Sequence, residues 1–185
     1  MAAVAVQDLL DPDRNTCYGC GPHNREGLRL KSYWQDDCIN EGKRGEELGD
    51  GSLGSCRASF LAKPHMNGGS PEITYGGIIA SIVDCHGINT ARAFITRSQG
   101  LVLGESSGSA PQIWCVTKSL RVDYRRPTPV GIPIELTARV TKTEKKNRII
   151  HVKIKVESVD SKGNRKHTAT GFVTAVRIKP RISKL

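Results

Sequence analysis

At 185 residues, with 37% hydrophobic and 25% charged side chains, the chain has the profile of one soluble globular domain that can bury a core without covalent staples. It has no run of about 18 apolar residues that would mark a helical membrane span, and the opening "MAAVAVQDLLDPD" is too acidic and too weakly apolar for a secretory signal. The net charge of +10 is unevenly placed: Lys118–Leu185 holds 18 basic and five acidic residues, the preceding part 10 and 13.

A basic half suits an anionic partner, either nucleic acid or a phosphorylated small molecule. The same cations can also simply fill the solvent face of strands. With 5% aromatic residues and no recognition helix, nucleic acid is the weaker reading. The glycine patterns of dinucleotide and P-loop sites are absent, and no cofactor is expected. Six cysteines scattered along the chain point to a reducing cytoplasm and mostly free thiols.

In chain order, a polar leader runs into "CYGCGPHNREGLRLKSYW", a turn-rich knot followed by a strand around Leu28–Trp34. The Gly-rich, charged segment Gln35–Ser55 reads as a long loop. "CRASFLAKP" is a second strand ended by Pro64, and "HMNGGSPE" a turn cluster. A helix is expected from about Gly76 to Thr96, apolar nearly all round and therefore buried on most sides. After a Gly/Ser loop the period changes from 3.6 to 2. Four strands follow, marked by alternating Leu120/Val122/Tyr124, Ile134/Leu136/Ala138/Val140, Ile150/Val152/Ile154/Val156 and Phe172/Thr174/Val176/Ile178. Short links at Glu144–Asn147 and Asp160–Asn164 predict an antiparallel meander of all four. One helix with sheet on most sides implies an α+β arrangement, a curved antiparallel sheet rolled around a central helix. A leader over 1–26 and a single domain over 27–180 are expected.

The helix carries the chemistry. It opens on Gly76-Gly77, and Asp84 is the only formal charge between Tyr75 and Ala91. A helix N-terminus presents unpaired N–H groups and a partial positive charge, and glycine lets a ligand approach the backbone. Gly76 and Gly77 can therefore hold an anion or oxyanion, or they can serve close packing against a strand. Burial of Asp84 would raise its pKa toward that of a useful base. Eight residues separate the two features, a rise of about 12 Å, so the acid must meet the oxyanion site of a second copy. Cys85 and His86 point about 100° apart and are not a nucleophile pair; His86 is expected in the core or an interface. Cys17, Cys20 and His23 have zinc-compatible spacing. A closed site would have to recruit Cys38 or Cys56, and packed thiols without metal are the expectation.

Three segments resemble the hotdog-fold acyl-CoA thioesterases of the phenylacetic-acid-degradation type. "CYGCGPHNREGLRLK" is similar to the family's Cys-x-x-Cys-Gly leader with Asn-x-x-Gly-Leu-x-Leu. "YGGIIASIVDCHG" is similar to its His-Gly-Gly-Ile helix start with a downstream Asp, and "VTKSLRVDYRRPTPVG" to its Thr-x-x-Leu-x-Val-x-Tyr-x-Arg-Pro strand. The resemblance spans Cys17–Val176 and implies hydrolysis of an acyl-CoA thioester by a homodimer or homotetramer. Under it, Asp84 is general base or nucleophile, the Gly76 N–H polarises the carbonyl, and Thr117 orients water or carboxylate. Asn67 stands for an upstream polar residue at a spacing two residues longer than usual. Tyr75 replaces the family's histidine, as pocket wall or hydrogen-bond donor. Gly77, Arg125 and Arg126 are expected to bind substrate, the arginines through CoA phosphates. A non-catalytic acyl-CoA-binding module of the same fold is the alternative.

Overall fold

The computed structural model describes residues 4–10, 15–35, 52–103 and 113–179. Most of the expected loop Gln35–Ser55 and of the Gly/Ser loop before the last strands lies outside the described residues, as does Cys38. The described chain forms a short 3-10 turn (Val6–Leu9), β1 (Tyr33–Trp34), β2 (Ser55–Leu61), a second 3-10 turn (Pro64–Met66), α1 (Gly76–Ser98), β3 (Trp114–Tyr124), β4 (Pro133–Glu144), β5 (Ile149–Val159) and β6 (Arg165–Ile178). The strands make one curved six-stranded sheet, all antiparallel, in the order β1-β2-β4-β5-β6-β3. This is the α+β hotdog arrangement expected from the sequence.

In β4 and β5 the alternation decides which face meets the helix. Ile134, Leu136, Ala138 and Val140 of β4 and Ile150, Val152, Ile154 and Val156 of β5 are buried, forming the core with Ile79, Ile82 and Val83 of α1. The alternate residues face outward and gather much of the basic surplus. Arg139 pairs with Lys153 across β4 and β5, and Thr137 with Lys155. Together with Arg57, Arg125, Arg165 and Glu157 they line a groove of about 730 Å³.

Two glycines mark close approaches of helix and sheet. A methyl group on Gly87 would sit 2.7 Å from Val173 of β6, and one on Gly171 would run into Val83 of α1. The knot and the leader dock on the same helix. Gln7, Ser32 and His86 form a buried chain, with Ser32 Oγ 2.8 Å from His86 Nδ1. Of the core and interface places expected for His86, it is buried in the core of the chain, and burial pushes its pKa down to about 4.

Two strand expectations need correction. Leu28–Trp34 is not one continuous strand: only Tyr33–Trp34 pairs with β2, while Leu28 and Leu30 donate backbone bonds to Tyr18 and Gly19 of the knot. The last four strands are not a simple meander either. β4, β5 and β6 follow one another through tight turns, but β3 pairs with β6 at the far edge, and β4 pairs with β2. The link 125–132 must cross three strand spacings, about 14 Å. Eight residues can reach up to about 26 Å, so the crossing is easy, whereas a hairpin would need only two to five. The link runs along the chain entering the helix: Thr74 N–H donates to Thr128 O (2.8 Å), and Val130 N–H to Glu72 O (2.9 Å).

Candidate active site

The crossing link brings the end of β3 to the mouth of α1. Tyr75 precedes the helix with φ −57° and ψ 130°, and Gly76 is its first residue. Neither the Gly76 nor the Gly77 N–H donates to an acceptor among the described residues. Gly76, Tyr75, Ile79, Tyr124, Arg125 and Arg126 line a cleft of about 430 Å³, with Gly68, Thr74 and Thr128 at its margin. Tyr75 is 57% exposed and lies against Gly77, where any side chain would meet the Tyr75 ring. The Tyr124 hydroxyl donates to Gly76 O at 2.7 Å, which fixes the first turn from outside the helix. In the sequence Tyr124 is marked only as an alternating strand residue and by its place in the Tyr-x-Arg-Pro segment.

Both arginines lean on β6. Arg125 Nε donates to Thr170 Oγ1 (3.2 Å) and Arg126 Nη1 to His167 O (3.3 Å). A guanidinium has five N–H donors, so each bond leaves most of the fork available. Arg125 borders both the cleft and the basic groove on the outer sheet face.

Asp84 sits two turns along α1, half-buried, and the Thr117 hydroxyl of β3 donates to its Oδ1 at 2.6 Å. The pairing register of β3 with β6 shifts between Thr117 and Ser119, the kind of irregularity that re-aims a side chain. Burial raises the pKa of Asp84, and the Thr117 bond works against that. Asp84 and Thr117 do not line the cleft at Gly76. They stand instead beside β3, whose outer edge has no strand partner among the described residues and which exposes Val116 and Leu120. Asn67 is held in a local turn, its Nδ2 donating to Pro64 O (2.9 Å) and its Oδ1 accepting from the Gly69 N–H. It is exposed and does not reach Asp84 within the chain. Cys17 and Cys20 do converge, but with Cys85 rather than His23.

The family model of the thioesterase superfamily matches residues 72–161, from the turn before the helix through β5. Among solved structures, the acyl-CoA hydrolase of Staphylococcus aureus, in complex with butyryl coenzyme A, coenzyme A and coenzyme A disulfide, is 17% identical. That match covers 68% of this chain and 66% of that one, with a TM-score of 0.53. Forms of the same hydrolase with an asparagine, an aspartate or a threonine replaced by alanine are also similar. A thioesterase superfamily protein of Shewanella loihica PV-4 is 30% identical, covering 68% of this chain and 84% of that one, with a TM-score of 0.49. No curated protein matches the chain significantly. The chain belongs to the hotdog-fold thioesterase superfamily. It spans just under two thirds of the Staphylococcus aureus hydrolase.

Proposed function

We propose that the chain is an acyl-CoA thioesterase that works as a homo-oligomer, a dimer or a dimer of dimers, with its site shared between two copies. The observation that carries this reading is the Thr117–Asp84 hydrogen bond of 2.6 Å beside the open edge of β3. The acid is oriented, partly desolvated, and remote from the glycine amides of its own helix. An eleven-residue edge strand with exposed apolar side chains calls for a covering partner. A second copy placed there would bring its own helix mouth toward Asp84.

In the proposed reaction the thioester carbonyl oxygen accepts from the Gly76 N–H at the positive end of the helix. Asp84 takes a proton from water as its oxygen adds to the carbonyl carbon. Collapse of the tetrahedral oxyanion breaks the C–S bond and releases CoA thiolate, leaving the free acid. Direct attack by the Asp84 carboxylate, through an anhydride that water then opens, uses the same groups. Thr117 keeps Oδ1 engaged so that Oδ2 is presented to the reacting atoms. Asn67 supplies a polar group to the partner's site, Tyr75 walls the acyl pocket, and Gly77, which does not line the cleft itself, leaves the room that the Tyr75 ring occupies. Arg125 and Arg126 take CoA phosphates through their free donors. The Asn, Asp and Thr positions replaced in the Staphylococcus aureus variants are of the same residue types as Asn67, Asp84 and Thr117, which supports the assignment.

The test is a panel of acyl-CoA substrates followed by mass detection of acid and CoA, since six cysteines would disturb a thiol dye. Turnover of at least one thioester, abolished by Asp84→Asn, is expected. Full turnover by Asp84→Asn would defeat the mechanism. Tyr75 in the place of the family's histidine favours one second reading, a binding module without catalysis; tight acyl-CoA binding with no product from any substrate would select it.

A further inference from the structure

The leader knot ends in a cluster that the proposed reaction leaves unused. The thiols of Cys17, Cys20 and Cys85 all lie within 4.8 Å of one another, and Cys17 Sγ is 3.7 Å from Cys85 Sγ. That is far too long for a disulfide, which needs about 2.05 Å, and all three cysteines are free. It is close to the edge of a tetrahedron of sulfurs around a zinc ion: bonds of about 2.3 Å put neighbouring sulfurs about 3.8 Å apart. The three residues come from two elements 68 positions apart, so sequence proximity alone does not explain their meeting.

The backbone around the thiols is shaped to hold them. The Gly21 N–H donates to Cys17 O at 2.8 Å, closing the Cys-x-x-Cys turn so that both sulfurs project toward the helix. Gly19 lies directly on the Cys85 sulfur, and any side chain there would collide with it. A methyl on Gly21 would come 2.6 Å from Asn15 O. Asn89, fully buried one turn after Cys85, donates through Nδ2 to Cys85 O (2.8 Å) and toward Cys20 Sγ (3.5 Å). An amide donor on a ligating sulfur is the kind of outer-shell contact that orients metal ligands. Cys20 and Cys85 are buried and Cys17 is exposed, so one side of the triangle is open to solvent.

We propose that Cys17, Cys20 and Cys85 bind one zinc ion as three thiolates, with the fourth position open to water beside Cys17. The donor set is all sulfur, which selects zinc over magnesium or calcium. Each thiol that binds gives its proton to solvent. The ion staples the leader to α1 at the residue following Asp84 and so fixes the turn on which the acid stands. This replaces the expectation of packed thiols without metal, and exchanges His23 for Cys85 as the third member.

The test uses the full chain, purified with reductant and desalted. Metal analysis is expected to find one zinc per chain. The chelator-stripped protein titrated with Co²⁺ should give a sulfur-to-cobalt charge-transfer band and tetrahedral visible bands, saturating at one equivalent. Cys17→Ser, at an exposed position, should lose the visible bands and the retained zinc while keeping the far-ultraviolet circular dichroism of the folded chain. Cys115→Ser, a thiol buried outside the cluster, should keep both. No zinc retained by the wild type together with no cobalt bands would overturn the assignment, as would full band intensity in Cys17→Ser, or a Cys17–Cys20 disulfide in the reduced preparation. None of these readouts depends on turnover, so the zinc site and the thioesterase reading fail or stand separately.

Discussion

Replacing Gly76 by proline isolates one backbone N–H from everything else at the helix mouth. Proline is tolerated at the first helical position, where the N–H has no intrahelical partner, and Gly76 occupies that position. The residue before a proline must be extended, and Tyr75 already has φ −57° and ψ 130°. Gly76 is not among the glycines with positive φ, and its N–H has no acceptor to lose among the described residues. A β-carbon there would meet the Tyr124 hydroxyl at 3.4 Å, an ordinary contact. Stability should therefore hold or rise, by about 0.4–1 kcal/mol through the stiffer unfolded chain. If this N–H holds the oxyanion, its loss should raise the barrier by about 3–4 kcal/mol, roughly 10²- to 10³-fold in kcat. Gly76→Ala keeps the N–H and adds comparable bulk at the β-carbon, so its kcat should stay near that of wild type. The assay is mass-detected hydrolysis of the best acyl-CoA, with kcat and KM separated, alongside urea unfolding of each variant. A folded Gly76→Pro enzyme with kcat within about threefold of wild type would remove Gly76 as the donor. Equal inactivity of the alanine variant would show that bulk, not the N–H, was being measured.

Thr117→Ala removes a hydrogen bond to a carboxylate, worth about 1.5–3 kcal/mol; kcat should fall about 10- to 100-fold, Thr117→Ser should recover most of it, and steady-state kinetics on both variants decide. Gly87→Ala places a methyl 2.7 Å from Val173 and should destabilise the fold by about 1–3 kcal/mol. The loss should shrink in the Gly87→Ala/Val173→Ala double variant, and unchanged urea midpoints would refute the close helix–sheet approach. Glu157 lies between Lys155 (2.6 Å) and Arg165 (3.4 Å). Burial works to raise its pKa, but the two cations outweigh it and hold the carboxyl below its ordinary value. A depressed folded pKa gives stability that is present above the unfolded value and lost as the pH falls through the folded one. Glu157→Gln should thus cost about 1 kcal/mol at pH 7 and flatten the acid side of the stability curve; denaturation midpoints across pH 3–7 that keep the wild-type slope would contradict this.

Much of the candidate site is legible in local pattern, but not how its residues are put together. Asp84 and Gly76 stood out because one charge and two glycines break an otherwise apolar run, a signal that needs no partner to be seen. Thr117 and Asn67 came from the family likeness. The Thr117 hydroxyl faces Asp84, while the Asn67 amide makes two bonds within its own turn and does not reach Asp84 of the same chain. Tyr124 escaped notice because its bond to Gly76 O joins residues 48 positions apart, and nothing in strand alternation says which helix end a strand terminus will reach.

The sequence by itself determined the helix, the last four strands and the buried faces of β4 and β5. A 2-residue period is a property of neighbouring residues, but which of its two faces is buried depends on pairing: Leu120 and Tyr124 of the edge strand β3 are exposed, and β6 buries Ala169, Val173 and Ala175 rather than the Phe172/Thr174/Val176/Ile178 set. Only the tertiary structure decided that β3 leaves the meander for the edge beside β6, because strand order depends on how far a link can reach and on what it packs against along the way. That choice placed Thr117 on Asp84 beside an open edge and laid Arg125 and Arg126 at the mouth of α1. The docking of the leader on α1 likewise brought a third thiol to Cys17 and Cys20. Each of these juxtapositions joins residues dozens of positions apart, a separation that the period of a helix or a strand does not encode.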